Sequence, residues 1–391
     1  MKSNAIALKP PGSERLVALD VFRGLTVAMM ILVNTPGSWA HIHPPLRHAQ
    51  WHGLTPTDLV FPFFLFIVGV AISLAFSSRL EKGASRPDLV RKIITRSIII
   101  FGLGLFLNGF PFGLVGEVGF REVLSELRVW GVLQRIAMCY LLVGLVVVFF
   151  DQRGRWLVLV GWLLAYELLM RLSLVAGWGA GSFALEDNFV RLLDLRTVGA
   201  SHLHQVGSVA FDPEGLLSTL PAAVTTLMGF FTGDFLRQPQ TLTSRLQRLS
   251  LVGLLLTSLG WALAFFEPLN KQLWTSSYVA LTGGLAILFL AICLWVIDVQ
   301  GWRQGSQLAV VFGRNPLLVF VGSGILVRTL DLIKVANSVG DKTSLKHAIY
   351  RGVFEPLAGP VNGSLLYSLS FLALWLVLLW YLHTKDIHIK V

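Results

Sequence analysis

The sequence predicts an all-α integral membrane protein, with about ten transmembrane helices in one bundle. Two observations carry that prediction. The chain has 391 residues, of which 54% are hydrophobic and 14% charged, against about 25% charged in soluble globular chains. Apolar runs of about twenty residues, the length a helix needs to cross the hydrocarbon core, recur along the whole chain. No comparably long polar stretch remains for a soluble domain, so residues 1–391 are expected to form a single membrane domain without a large extracytoplasmic one.

Ten spans are expected, near 16–37, 56–78, 90–110, 131–150, 156–177, 215–236, 249–267, 277–298, 308–330 and 364–383. Asn315-Pro316 interrupts the ninth, where proline removes a backbone donor. The stretch 344–358 is mildly amphipathic and suits the interface. The first fifteen residues are polar, end in Arg15 and lack the apolar core of a cleaved signal, so the first span is expected to stay as an anchor.

The net charge of +10 would suit nucleic acid, but Lys and Arg fall mainly between the apolar runs, as in membrane proteins. With a cytoplasmic N-terminus, the inner segments hold sixteen of them and the longer outer loops ten. The short loops set orientation, so both termini are expected in the cytoplasm and the loops 38–55 and 178–214 outside it. Cys139 and Cys293 each lie within an apolar run, which gives no disulfide framework.

Ionisable groups inside spans cost on the order of 3 kcal/mol at mid-membrane, and therefore usually face a partner or a wet cavity. Here they are Asp20 and Arg23, on one helical face, then Arg96, Gln134 beside Arg135, Asp234, Arg314 beside Asn315, and Arg328. Snorkelling and structural ion pairing are the plain alternatives. The densest polar cluster runs from Val33 to Phe64. It holds Asn34, Trp39, His41, His43, His48, Trp51, His52, Thr55, Thr57 and Asp58, including four of the nine histidines. Imidazoles exchange protons near neutral pH. Asp58 heads a helix, where a carboxylate caps free N–H groups or orients an imidazole. His48 and His52 could share a metal if helical, but Gly53 and Pro56 weaken a helix and no third ligand is spaced for it, so no metal is expected.

The segments RLVALDVFRGLT, HAQWHGLTPTDLVFPFFLF, LRVWGVLQRIAMCY, FDPEGLLSTL and FGRNPLLVFVG follow one another in that order. Together they resemble the membrane domain of the heparan-α-glucosaminide N-acetyltransferase family, bacterial members included, over almost the whole chain. The resemblance implies a membrane acetyltransferase. Acetyl-CoA would be its cytoplasmic co-substrate, and an amino sugar or glycan across the membrane its acceptor. The bacterial cytoplasmic (inner) membrane is the implied location, and a second copy of the chain is a possible partner. In the family the histidine before Ala-x-Trp is catalytic, which matches His48; Asn34 and Asp58 match two further family positions. Arg23, Arg96, Gln134, Arg135 and Asn315 are the candidate donor contacts. His52, Trp51, Asp212 and Glu214 are the candidate acceptor contacts. The human family member has Asn where His52 stands. His48 could be the base for the ammonium proton or could be acetylated first. A transporter for an amino sugar or cell-wall fragment is the competing function, since broken helices and intramembrane charges serve transporters too.

Overall fold

A computed structural model describes residues 17–81, 83–114, 119–172, 181–336, 342–387 and 389. Lys2, Lys9, Arg15, Lys82 and Lys390, part of the charge count, lie outside them, as do both termini.

The described chain is mostly helical. In order come α1 (Val17–Asn34), α2 (Val60–Glu81), α3 (Arg86–Gly109), α4 (Phe120–Ser125), α5 (Val132–Phe149), α6 (Gln152–Leu172) and α7 (Phe189–Thr197). Then follow α8 (Thr219–Arg237), α9 (Leu242–Leu263), α10 (Ser276–Leu294), α11 (Ser306–Arg314), α12 (Pro316–Leu332), α13 (Leu345–Ile349) and α14 (Glu355–Thr384). Two small antiparallel pairs interrupt the loops, β1 (Gln205–Val206) with β2 (Val209–Ala210), and β3 (Lys334–Ala336) with β4 (Lys342–Ser344).

Helix occupies each of the ten ranges expected to span. Among the described residues six segments are long and apolar enough to cross a membrane: Val17–Asn34, Pro56–Phe76, Val132–Phe149, Leu242–Leu263, Ser276–Val299 and Leu345–Thr384. The bent pair α11–α12 makes a seventh if counted as one span. Its axis turns by 79° at Asn315, just before the proline that cannot donate to the preceding turn. The last helical run begins well before residue 364 and takes in most of the amphipathic stretch.

Polarity is inverted on the outer helices. On α9, Leu251, Leu254, Leu255, Leu259 and Trp261 are exposed. A soluble surface does not carry apolar residues in such numbers, whereas hydrocarbon accepts them. The helices pair through small residues, as membrane helices do. On α2 and α8 a Cβ at Gly69 would stand 1.8 Å from the Thr226 carbonyl oxygen, and one at Gly229 would stand 1.9 Å from that of Phe66. Only glycine allows that approach, which brings the start of α2 beneath α8 and α10.

Sequence-local caps fix the ends. Ser85 accepts from the Asp88 N–H, Asn188 from that of Arg191 and Thr241 from that of Ser244. The loop ahead of α2, the segment 264–275 ahead of α10 and the segment 181–218 ahead of α8 meet one another through His48, Trp51, Gly53 and Asn270.

Candidate active site

His48 lies in an irregular segment, and Pro56–Leu59 forms one turn of 3₁₀ helix leading into α2. The chain doubles back between them. Thr55 Oγ1 donates to the Arg47 carbonyl at 2.7 Å, and Thr57 Oγ1 to that of Pro45 at 3.2 Å. This return places the His48 ring against Asp58, with Nδ1 2.6 Å from Oδ1. An ionised carboxylate only accepts, so Nδ1 carries the proton and Nε2 keeps its lone pair. Asp58 Oδ2 accepts from the Ala49 N–H at 3.1 Å and the Thr55 N–H at 3.0 Å, and the Thr55 hydroxyl, whose proton goes to Arg47, lies 3.0 Å away. Tyr278 of α10 donates to the Asp58 carbonyl at 2.6 Å. Asp58 is 1% exposed while the His48 side chain is 43% exposed. The carboxylate is thus a fixed mount, and the imidazole is open to a ligand.

A third residue, not foreseen from the sequence, completes the cluster. Lys271 Nζ stands 3.0 Å from His48 Nδ1, 3.5 Å from Nε2 and 3.6 Å from Asp58 Oδ1. Loss of hydration pulls its ammonium below the ordinary lysine value, against the pull of Asp58. The segment bearing it is stitched to the histidine loop. Gly53, at φ 114°, donates its N–H to the Leu269 carbonyl at 2.8 Å, a backbone state that favours glycine. Asn270 Nδ2 meets His52 Nδ1 at 3.2 Å. Gln272 Nε2 donates to the Gln50 carbonyl at 3.2 Å. His52 is therefore held to Asn270, apart from the His48–Asp58 pair, and burial lowers its pKa. Among the described residues no group of three or more His, Cys, Asp or Glu side chains could hold a metal ion.

Trp51 packs edge-on against Phe211 and donates Nε1–H to the Phe183 carbonyl at 2.8 Å, tying the loop to the 181–218 segment. There Asp212 and Glu214 close on Arg128. The guanidinium reaches Asp212 twice, at 2.8 and 2.7 Å, and Glu214 at 2.6 Å. Asp212 also takes the N–H groups of His204 and Glu214. Burial works against its charge, yet the hydrogen bond and charge of Arg128 hold Asp212 below its usual value. Nearby, burial raises Asp194 to about 7, the Leu216 N–H opposing and the charge of Asp212 adding.

A cavity of about 330 Å³ opens between α1, α3, α5 and α12, lined among others by Asn34, Asn108, Arg128, Gln134, Ser323 and Arg328. Asn34 and Gln134, far apart in sequence, meet there, and Gln134 Nε2 is buried without a partner. Amide and guanidinium donors around a narrow space fit a polar, amide-bearing ligand arm. Arg135 does not line the cavity. It is buried, donates to Ser218 Oγ and to the Gly215 carbonyl, and lies 5.1 Å over the Trp274 ring. The other three candidate donor contacts lie outside the cavity lining as well. Arg23 pairs with Asp20 at 3.3 Å, Arg96 stacks 4.9 Å over Tyr140, and Asn315 bonds to the backbone of Ile387 and Ile389.

A sequence profile for heparan-alpha-glucosaminide N-acetyltransferase, catalytic, matches residues 15–250, a stretch that includes Asn34, His48, Asp58 and the Arg128 network. The chain belongs to the heparan-alpha-glucosaminide N-acetyltransferase family. It is 30% identical to heparan-alpha-glucosaminide N-acetyltransferase of Mus musculus over 365 residues, covering 80% of this chain and 54% of the mouse protein. With the Homo sapiens enzyme it shares 31% over 359 residues, 79% of this chain and 52% of the human protein. The chain spans about half the length of these curated relatives. Lys271 lies beyond the profile match, and it is the fold that brings it to His48 across 223 residues.

Proposed function

We propose that the protein is a transmembrane N-acetyltransferase. It would move the acetyl group of cytoplasmic acetyl-CoA to the amino group of an amino sugar or glycan on the extracytoplasmic side. The single observation that carries this is the His48–Asp58 contact at 2.6 Å, with Nε2 left open on a half-exposed ring. Thioester aminolysis needs a base for the ammonium proton. His48 is that base, or the first acyl carrier, Asp58 orients it, and Asn34 presents an amide from the cavity. Family membership supports the reaction class. Gln134 and Arg328 suit the amides and phosphates of the donor, and Trp51, with the Asp212–Glu214 segment behind it, borders the acceptor side.

The same proposal sets the chain in the bacterial cytoplasmic membrane as one domain of ten spans, with α3, α6 and α8 completing the apolar set and both termini inside. The charge bias of the short loops supports it. Reporter fusions at Pro45, Ala200 and Val391 test it; a cytoplasmic signal at Pro45 or Ala200 refutes the orientation.

The test of the reaction is turnover of acetyl-CoA by purified protein with glucosamine as acceptor, His48→Ala set beside the wild type. The 79° bend at Asn315 is a feature transporters share. Thermal stabilisation by acetyl-CoA or CoA supports the enzyme, and stabilisation by sugar alone supports the transporter.

A further inference from the structure

The ion pair with Asp58 is not enough to explain where the Lys271 ammonium stands. Asp58 is satisfied without it, because His48 Nδ1–H and the backbone N–H groups of Ala49 and Thr55 already supply three donors. At 3.6 Å from Oδ1 the ammonium is an ion-pair neighbour of the carboxylate, beyond ordinary hydrogen-bond length. His48 Nδ1, 3.0 Å away, spends its one in-plane position on Asp58 and offers no lone pair. The ammonium thus sits over the imidazole edge between the two ring nitrogens, with donors left for something else.

Its place is rigidly set. Glu267 accepts from the Ser277 N–H. Thr275 Oγ1 donates to the Pro268 carbonyl at 3.0 Å, and Asn270 Oδ1 accepts from the Leu273 N–H at 2.8 Å. Asn270 N–H donates to Thr275 Oγ1 at 3.1 Å. The segment folds on itself and then docks on the histidine loop through Gly53 and Gln50. A long side chain on such a platform reaches one spot, 3.5 Å from His48 Nε2, which is where a group reacting at Nε2 has to stand.

We infer that Lys271 is a further catalytic residue, the cation that hydrogen-bonds the acetyl oxygen as it becomes an oxyanion. The inference rests on the acetyltransferase reading above. The acceptor amine forms a C–N bond to the thioester carbonyl carbon, the carbonyl π electrons move onto oxygen, and Nε2 takes the ammonium proton. The tetrahedral species collapses, the C–S bond breaks, and the imidazolium gives its proton to the sulfur, leaving an acetamide and the CoA thiol. If His48 is acylated first, the same oxygen gains the same charge in both half-reactions. Charge bookkeeping favours this assignment. Asp58 and Lys271 sum to zero beside a neutral imidazole, and in the transition state the imidazolium and the oxyanion again cancel. A fixed donor at the oxyanion position is worth about 100- to 1,000-fold in turnover.

The test compares wild type with Lys271→Met, Lys271→Ala and Lys271→Arg in purified protein, by CoA thiol release from acetyl-CoA with glucosamine. Lys271→Met keeps the apolar stem, so its melting temperature and its stabilisation by acetyl-CoA should match wild type. Its kcat should fall about 100- to 1,000-fold with the acetyl-CoA KM within a few-fold, and Lys271→Arg should recover part of the loss. Wild-type turnover accompanied by near-normal kcat in Lys271→Met overturns the role of Lys271 alone. So does a loss confined to KM or to melting temperature. Absence of donor turnover and of donor stabilisation in the wild type overturns the acetyltransferase reading itself, and this role with it.

Discussion

Two charged clusters lie close together, and they are built on opposite plans. In the Arg128–Asp212–Glu214 network each group is spent on another. The guanidinium holds both carboxylates, and Asp212, fully buried, takes two backbone N–H groups besides. In the His48–Asp58–Lys271 cluster the carboxylate is equally buried and saturated, but the other two members are not. Nε2 keeps its lone pair on a half-exposed ring, and the lysine has donors to spare. Polar density is similar in the two. What differs is whether a proton or a hydrogen bond remains to be given to a ligand, and that marks one as architecture and the other as chemistry.

The contrast is sharpest in the kind of damage a mutation does. His48→Ala removes a half-exposed ring that packs little, so melting temperature should hold while acetyl-CoA turnover falls about 100- to 10,000-fold. Asp58→Asn should cost turnover on a similar scale, because an amide turned to satisfy the backbone donors no longer fixes the Nδ1–H tautomer. Asp212→Ala should do the reverse, leaving the partly buried Arg128 half-paired and costing up to about 3–5 kcal/mol of stability by denaturation. Full stability with abolished turnover in Asp212→Ala would break the contrast and move that network into the active site.

A smaller effect tests the closed cluster through pH. The Asp194 carboxyl rises in the fold from 3.8 to about 7, so the native state holds a proton that the unfolded chain releases. Its stability contribution is complete below about pH 4 and is lost as pH rises through about 7. Melting temperature should therefore decline across that window, and Asp194→Asn should flatten the decline. The smallest effect is expected at His52. Its link to Asn270 is one hydrogen bond, worth about 0.5–1.5 kcal/mol. His52→Ala should lower melting temperature slightly and leave turnover within about tenfold of wild type, whereas a loss equal to that of His48→Ala would put both imidazoles in the reaction.

The helices were legible in the sequence because each depends on neighbours in the chain. Apolar runs set the positions of the long ones, Ser85 and Thr241 cap two of them, and Asn315-Pro316 marked the bend at Asn315, whereas α7 stands where a loop was expected. The His48–Asp58 pair was within reach for the same reason, since ten residues and one turn connect them. Asp212 and Glu214 stood out as a motif, but their partner did not: Arg128 is 84 and 86 residues away. Lys271 comes to His48 across 223 residues, and nothing local separates it from the other basic loop residues. The one available signal was topological, for alternating spans put the segments 38–55 and 264–275 on the same face. Arg23 and Arg96 were conspicuous for the opposite reason. A charge in an apolar run announces a cost, but only packing shows that Asp20 and Tyr140 already meet it. The sequence alone thus determined the apolar helices and the imidazole with its carboxylate, because these obey periodicity and short-range geometry. The tertiary structure alone decided which charges are paired off and which stay open, because pairing depends on distances between residues far apart in the chain.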